Sequence, residues 1–222
     1  MRYPIGVTGS KQEYTDKWYS AQDFGNPTSY GYHEGVDVNL KTGGDTDLGQ
    51  ELKAISNGRL IYYHYSSHPT YGFGRHLVYK IDGVWGTRWI HYAHCQDFTA
   101  SVRDVNEGEV IAKLGKSGTP YAHLHWAIFK VDPTNLPNKL DTIAKTLQQL
   151  NDWWEDPIAF VDKWMQPAPT PEPVISDPKT KIKLVDPYGV QELQAINSMM
   201  SAKDTRIKEL EGKISNAKSA LA

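Results

Sequence analysis

The chain has 222 residues, with 24 Lys+Arg against 26 Asp+Glu and a formal net charge of -2. That balance excludes a protein that holds nucleic acid chiefly by neutralising phosphates, and no apolar run approaches the roughly 18 residues of a membrane span. A single cysteine, Cys95, excludes both an intrachain disulfide framework and a multi-cysteine zinc site, so a metal would rest on some of the 8 His and on carboxylates.

The first eight residues, Met1 to Thr8, hold no apolar run long enough for a secretory signal. Aromatic residues, Gly and β-branched residues crowd the first 130 or so positions. The runs Gly58 to Tyr63, Arg75 to Ile81, Thr87 to Ala93 and Leu124 to Val131 read as strands. Gly43-Gly44, Asn57-Gly58, Asp82-Gly83 and Glu107-Gly108 mark turns between such runs. Short strands at this spacing predict a mainly β domain with an antiparallel sheet over residues 1–139.

From Leu140 the texture changes, and residues 140–165 read as a helical extension. Leu140, Ile143, Ala144, Leu147 and Leu150 fall at helical spacing. Asp156-Pro157 has the form of an N-cap followed by proline at the first helical position, and it opens a short helix through Trp164. Trp153, Trp154, Phe160 and Trp164 are placed to pin these helices to the β domain. Residues 166–188 form a linker: Pro167, Pro169, Pro171, Pro173 and Pro178 favour extended polyproline geometry. In residues 189–222 an apolar seam of Leu193, Ile196, Met200, Ile207, Leu210, Ile214, Ala217 and Leu221 steps by threes and fours, interrupted only at Lys203. It predicts a C-terminal amphipathic helix. About four heptads suit a coiled coil and a homo-oligomer; the alternative is one helix folded back on the first domain.

Three histidine-bearing segments carry the chemistry. In Tyr32-His33-Glu34-Gly35-Val36-Asp37-Val38, the His and Asp four apart are similar at first sight to a helical zinc-protease motif. The glycines and β-branched residues oppose a helix. A loop entering a strand fits better, with Val36 and Val38 facing the core and Asp37 the other way. In His123-Leu124-His125-Trp126-Ala127-Ile128-Phe129, alternation puts His123, His125, Ala127 and Phe129 on one face. The two imidazoles then lie roughly 6.5–7 Å apart, so that one can bind a metal while the other reaches a water or substrate upon it. In Trp89-Ile90-His91-Tyr92-Ala93-His94, the odd separation puts His91 and His94 on opposite faces of a regular strand, so only one should enter a given site. His64, His68 and His76 lie in or beside a loop rich in Tyr and Gly, and read as structural.

His33, Asp37 and His125 together give two imidazoles, one carboxylate and an open position, the ligand count of a catalytic rather than a structural zinc. A water in the open position would have its pKa lowered to about 7. His94 and His123 are spare imidazoles suited to proton transfer and oxyanion stabilisation. No Gly-x-Ser-x-Gly elbow and no Walker-type loop occurs.

These residues resemble the lysostaphin-like, or LytM-type, zinc peptidases of peptidase family M23. His33-Glu34-Gly35-Val36-Asp37-Val38 stands for the family's His-x-Gly-x-Asp element, Tyr92-Ala93-His94 for Tyr-x-His, and His123-Leu124-His125-Trp126 for His-Leu-His-aromatic. Asn57-Gly58, Tyr71-Gly72-Phe73-Gly74 and Gly115-Lys116-Ser117-Gly118 fit the intervening texture. The resemblance implies a β-rich fold with an open groove and an endopeptidase hydrolysing peptide bonds in bacterial cell-wall peptidoglycan. It also implies one Zn2+ per chain on His33, Asp37 and His125, with His94 and His123 as the catalytic pair. Tyr32, Tyr71 and Phe129 are candidate groove walls. Trp85 and Trp89 could line the groove or pack under a hairpin. All five metal and catalytic positions are filled, which favours activity over a non-catalytic scaffold, an amidase regulator or a phage structural part. Cys95 stands where an apolar residue is usual. Without a signal peptide, action at the cell wall would call for release through a membrane lesion or delivery on a phage particle, as with a phage lysin.

Overall fold

Ser10 opens the first regular element: its side chain accepts from Glu13 N and caps α1 (Lys11–Lys17), the N-cap geometry expected of serine. From here the computed structural model describes residues 1–64, 72–98 and 101–165, all within one unit, Met1–Thr170. Expectations about Tyr71, the proline-rich linker and the heptad segment lie outside the described residues. In chain order follow β1 (Trp18–Gln22), β2 (Pro27–Thr28), β3 (Gly31–Tyr32), β4 (Gly35–Leu40), β5 (Glu51–Lys53), β6 (Gly58–His64), β7 (His76–Gly83), β8 (Gly86–Ala93), β9 (Asp97–Phe98), β10 (Arg103–Val105), β11 (Val110–Lys113) and β12 (Leu124–Phe129). The last elements are α2 (Leu147–Trp153), β13 (Trp154–Glu155) and α3 (Pro157–Trp164).

The main sheet runs β1-β4-β12-β8-β7-β6-β10, with β13 continuing beside β12 past the end of β4. Its named pairings are all antiparallel. A smaller sheet, β5-β11-β9, and the β2-β3 pair complete the β structure of the described residues. The four strands expected from β-branched and aromatic runs are β6, β7, β8 and β12, and the mainly antiparallel architecture is as read from the sequence.

Register decides what each face of the sheet carries. Val36 pairs with Trp126 and Val38 with Leu124, and Tyr92 pairs with Trp126 and Leu77. These residues bury together in the principal core with Tyr3, Ile5 and Phe160. The opposite face carries Asp37 against His125, and His125 against Ala93. Farther along, that face is covered by a second cluster in which Ala127 and Phe129 meet Leu136, Ala144, Leu150 and Trp154.

The helix expected from Leu140 begins later. Residues Lys139–Asp141 form a 3-10 turn. Ala144 then bridges to Tyr32, its carbonyl accepting from Tyr32 N at 2.8 Å. That bond takes the carbonyl from a helix, and β-branched Thr142 and Ile143 favour extension. Thr146 caps the true start by accepting from Gln149 N. By contrast, α3 is as expected: Asp156 accepts from Ile158 N and Ala159 N, and Pro157 takes the first position. Trp85 packs edge-on to Phe160 and against Trp164, with centroids 5.8 and 5.7 Å away; Trp89 packs on the second cluster.

Candidate active site

Strand pairing builds the site. Asp37 on β4 lies directly across from His125 on β12, and His33 enters from the segment just before β4. Asp37 Oδ1 is 3.0 Å from His125 Nδ1 and 3.2 Å from His33 Nε2, and the two nitrogens are 3.1 Å apart. His33 Nδ1 donates to the Asp23 carbonyl at 3.2 Å. That bond fixes the tautomer and leaves the Nε2 lone pair facing the other two donors.

This donor set fits a metal. Ligands about 2.0–2.1 Å from a tetrahedral zinc are about 3.3 Å from one another, and the three donor separations here all approach that value. Two imidazole nitrogens facing one carboxylate oxygen at such range can hold a cation between them. Among the described residues this is the one group of three or more His, Cys, Asp or Glu placed to hold a metal. Burial pushes the Asp37 carboxyl up, but hydrogen bonds and charge from His125 and His33 outweigh it and hold the carboxyl well below its ordinary range. Burial pulls His33 down, yet its hydrogen bond to Asp37 leaves it raised on balance.

Two more imidazoles stand beside this triangle. His94 follows the end of β8 with φ 60, a left-handed conformation uncommon outside glycine. Its backbone N–H donates to the Phe73 carbonyl at 2.9 Å, and its Nδ1 donates to the Ser117 carbonyl at 2.9 Å. His123 Nδ1 donates to the Tyr121 carbonyl at 3.1 Å. Both rings therefore keep Nε2 as the free nitrogen. Their centroids are 4.5 Å apart, and His94 lies 6.1 Å from His125. Burial, then the neighbouring His123 and His125, lowers His94 to about 3; burial also lowers His123. Both are neutral at pH 7.

The expectation that His91 and His94 lie on opposite faces of the strand is corrected here, although His94 lines the cleft and His91 does not. The turn at His94 ends the strand's alternation and swings its ring back, while His91 lies on the same face beneath, 6.0 Å from His125 between centroids. Ser117 braces the turn: its Oγ donates to the Cys95 carbonyl and accepts from Arg75 N. This loop lies so close to Gly74, itself at φ 59, that a Cβ there would sit 2.0 Å from the Ser117 carbonyl oxygen.

A cleft of about 530 Å³ opens over the five residues. Its walls include Tyr30, Glu34, Phe73, Thr119, Asp141 and Ile143. Two expected wall residues are elsewhere. Phe129 is 1% exposed in the second core cluster, and Tyr32 packs against that cluster. The face shared by His123, His125, Ala127 and Phe129 is real, but α2 and Trp154 cover its far end. Tyr30 and Phe73 take the aromatic places in the cleft. Each is next to or near a motif residue, but aromatic character alone gave no way to choose among them.

Residues 31–137 match the model of peptidase family M23. A comparison with curated proteins gave no match. Among solved structures, the catalytic domain of the antimicrobial peptidase lysostaphin from Staphylococcus simulans is similar at 21% identity, over 69% of this chain and 98% of that one, with a TM-score of 0.46. The catalytic domain of the prophage-encoded M23 protein EnpA from Enterococcus faecalis is similar at 23% identity, over 58% and 87%, with a TM-score of 0.42. A zinc-containing peptidase from Vibrio cholerae is similar at 20% identity, over 57% and 35%, with a TM-score of 0.42. The family indicated by three short motifs is the family whose model matches residues 31–137, across the strands that carry those motifs.

Proposed function

We propose that this chain is a zinc-dependent endopeptidase that cleaves peptide bonds in bacterial cell-wall peptidoglycan. The observation that carries the reading is the triangle of His33 Nε2, Asp37 Oδ1 and His125 Nδ1, with edges of 3.0–3.2 Å, beside two neutral imidazoles whose Nε2 atoms are free. His33, Asp37 and His125 hold the ion. A zinc ion there supplies Lewis acidity and an acidified water.

The remaining chemistry belongs to the chain. His123 Nε2 lies 3.8 Å from Asp37 Oδ1, and this negative neighbour favours proton uptake. His123 takes the proton of the attacking water at Nε2 and later returns it to the leaving amine. His94, held by the Ser117 carbonyl, lines the side of the cleft where the oxyanion develops. The cleft walls seat the extended peptide on both sides of the scissile bond. A non-catalytic scaffold would need none of this arrangement.

The proposed place of action is the bacterial cell wall, and the heptad-patterned 189–222 segment is a proposed oligomerising element. Incubation of purified peptidoglycan with the protein should release peptide fragments identifiable by mass. A chelator should abolish release and added zinc should restore it. Release indifferent to the chelator overturns the zinc mechanism, and the absence of cleaved peptide bonds with zinc bound overturns the substrate.

A further inference from the structure

The face of the sheet that carries the metal donors continues inward as a file of imidazoles. His91 on β8 pairs with Ala127 on one side and Val78 on the other, and His76 on β7 pairs with His64. Ala93, the residue opposite His125, is small enough to leave a gap in the row, and His91 fills it. Ring centroids are 6.0 Å apart for His125 and His91, and 5.1 Å apart for His91 and His76. Phe73 closes the file off from the cleft, with its ring 5.3, 4.7 and 6.0 Å from His125, His91 and His76.

Four ring nitrogens in this file are buried without a hydrogen-bonding partner among the described residues: His125 Nε2, both nitrogens of His91, and His76 Nε2. Buried polar atoms are rarely left so, and His91 is 0% exposed. Polarity can be assigned from the two ends. His125 presents Nδ1 to Asp37 and His33; as a metal ligand through that atom it carries its proton on Nε2. His76 Nδ1 faces the Gly74 carbonyl at 3.0 Å and must donate to it, so its Nε2 is a lone pair. His91 therefore stands between a donor and an acceptor, and a neutral imidazole offers one of each.

We propose that His91 is a positioning residue for the metal centre. Through bridging buried water it accepts from the Nε2–H of His125 on one nitrogen and donates from the other toward His76 Nε2, in a relay ending on the Gly74 carbonyl. The relay fixes the tautomer and ring angle of His125 so that Nδ1 stays bare and aimed at the ion. This inference rests on the reading of His125 as a metal ligand.

The test uses the full chain and zinc alone. Zinc affinity is measured by competition with a chromophoric chelator for wild type, His91→Leu and His91→Gln, together with the melting temperature of each metal-free protein. His91→Leu should weaken zinc binding about 10–100-fold without lowering the metal-free melting temperature. His91→Gln, which offers both a donor and an acceptor, should recover most of the affinity. Wild-type zinc affinity in His91→Leu overturns the relay alone, whereas wild type that takes up no zinc overturns the metal reading with it. If His91→Leu does not fold, 15N NMR of imidazoles in the zinc-loaded wild type decides. A protonated, slowly exchanging His125 Nε2 supports the relay, and a fast-exchanging or unprotonated one refutes it.

Discussion

Replacing Gly35 with alanine tests whether strand register sets the metal geometry. Gly35 lies opposite Ala127, and Asp37, two residues on, lies opposite His125. A Cβ on Gly35 would stand 2.5 Å from the Trp126 carbonyl oxygen and 3.0 Å from His125 Cε1. Because real Cβ atoms essentially never approach closer than 3.0 Å, β4 and β12 must separate by about 0.5 Å at this point, which is the tolerance of a working constellation. The displacement falls on the donor pair that is now 3.0 Å apart. Gly35→Ala should cost about 1–3 kcal/mol of stability, as overpacking does, and should weaken zinc binding about tenfold or more, or roughly 1.4 kcal/mol. Gly44→Ala is the control: Gly44 has φ 61 but nothing within 4 Å of its Cβ position, so that variant bears backbone strain and leaves zinc affinity alone. Chelator competition and denaturant titration of the metal-free proteins read both quantities. Gly35→Ala with wild-type zinc affinity and an unchanged denaturation midpoint would refute the argument that this glycine sets the spacing.

Asp37→Ala and His125→Ala should each lose bound zinc, measured by metal analysis after gel filtration, whereas His123→Ala should keep it and lose about 10²–10⁴-fold in turnover; a zinc-free His123→Ala protein would overturn that division of roles. Burial pushes the Glu13 carboxyl up, but hydrogen bonds from Thr8, Val7 and Lys17 outweigh it and hold the pKa at about 2 against an ordinary 4.5. Its contribution to stability is complete above about pH 4.5 and is lost as pH falls toward 2, so Glu13→Gln should be less stable at pH 7 and should show a shallower loss on acid titration followed by circular dichroism. Asp156→Ala removes the cap that accepts from Ile158 N and Ala159 N, and should cost about 1 kcal/mol in denaturant titration. Truncation after Gln166 should lower the oligomeric mass measured by light scattering, and an unchanged number of chains per particle would refute the coiled-coil proposal.

The strands that build the site were legible because β-branched and aromatic runs bounded by Gly turns leave little choice of element, and the antiparallel class followed from their spacing. Other parts were hidden for identifiable reasons. Tyr3, Ile5 and Tyr14 enter the principal core from a segment too short and irregular to show a period. The helix read from Leu140 had the right spacing, but Ala144 bonds to Tyr32 instead, a choice made by tertiary contact. Phe129 was assigned to the correct face of β12 and still missed the cleft, because periodicity gives a direction and says nothing about what later covers it. The turn at His94 was invisible: no sequence signal marks a histidine that will take positive φ.

His-x-Gly-x-Asp and His-x-His are best understood as statements of register rather than inventories of ligands. The glycine permits the close approach of β4 to β12 at the Trp126 carbonyl, and the aspartate two positions later then meets His125 on the same face. Along β12 the same two-residue step separates His125 from His123, whose backbone N–H donates to the Gly115 carbonyl at the strand's entrance. One imidazole is thereby committed to the donor triangle and the other to the cleft. A one-residue slip between these strands would send Asp37 into the core among Trp126 and Leu124, where an unpaired carboxylate is costly. The apolar face thus enforces the alignment that the His33, Asp37 and His125 triangle needs, and the site inherits its precision from the packing of Val36, Val38 and Trp126 on the far side of the sheet.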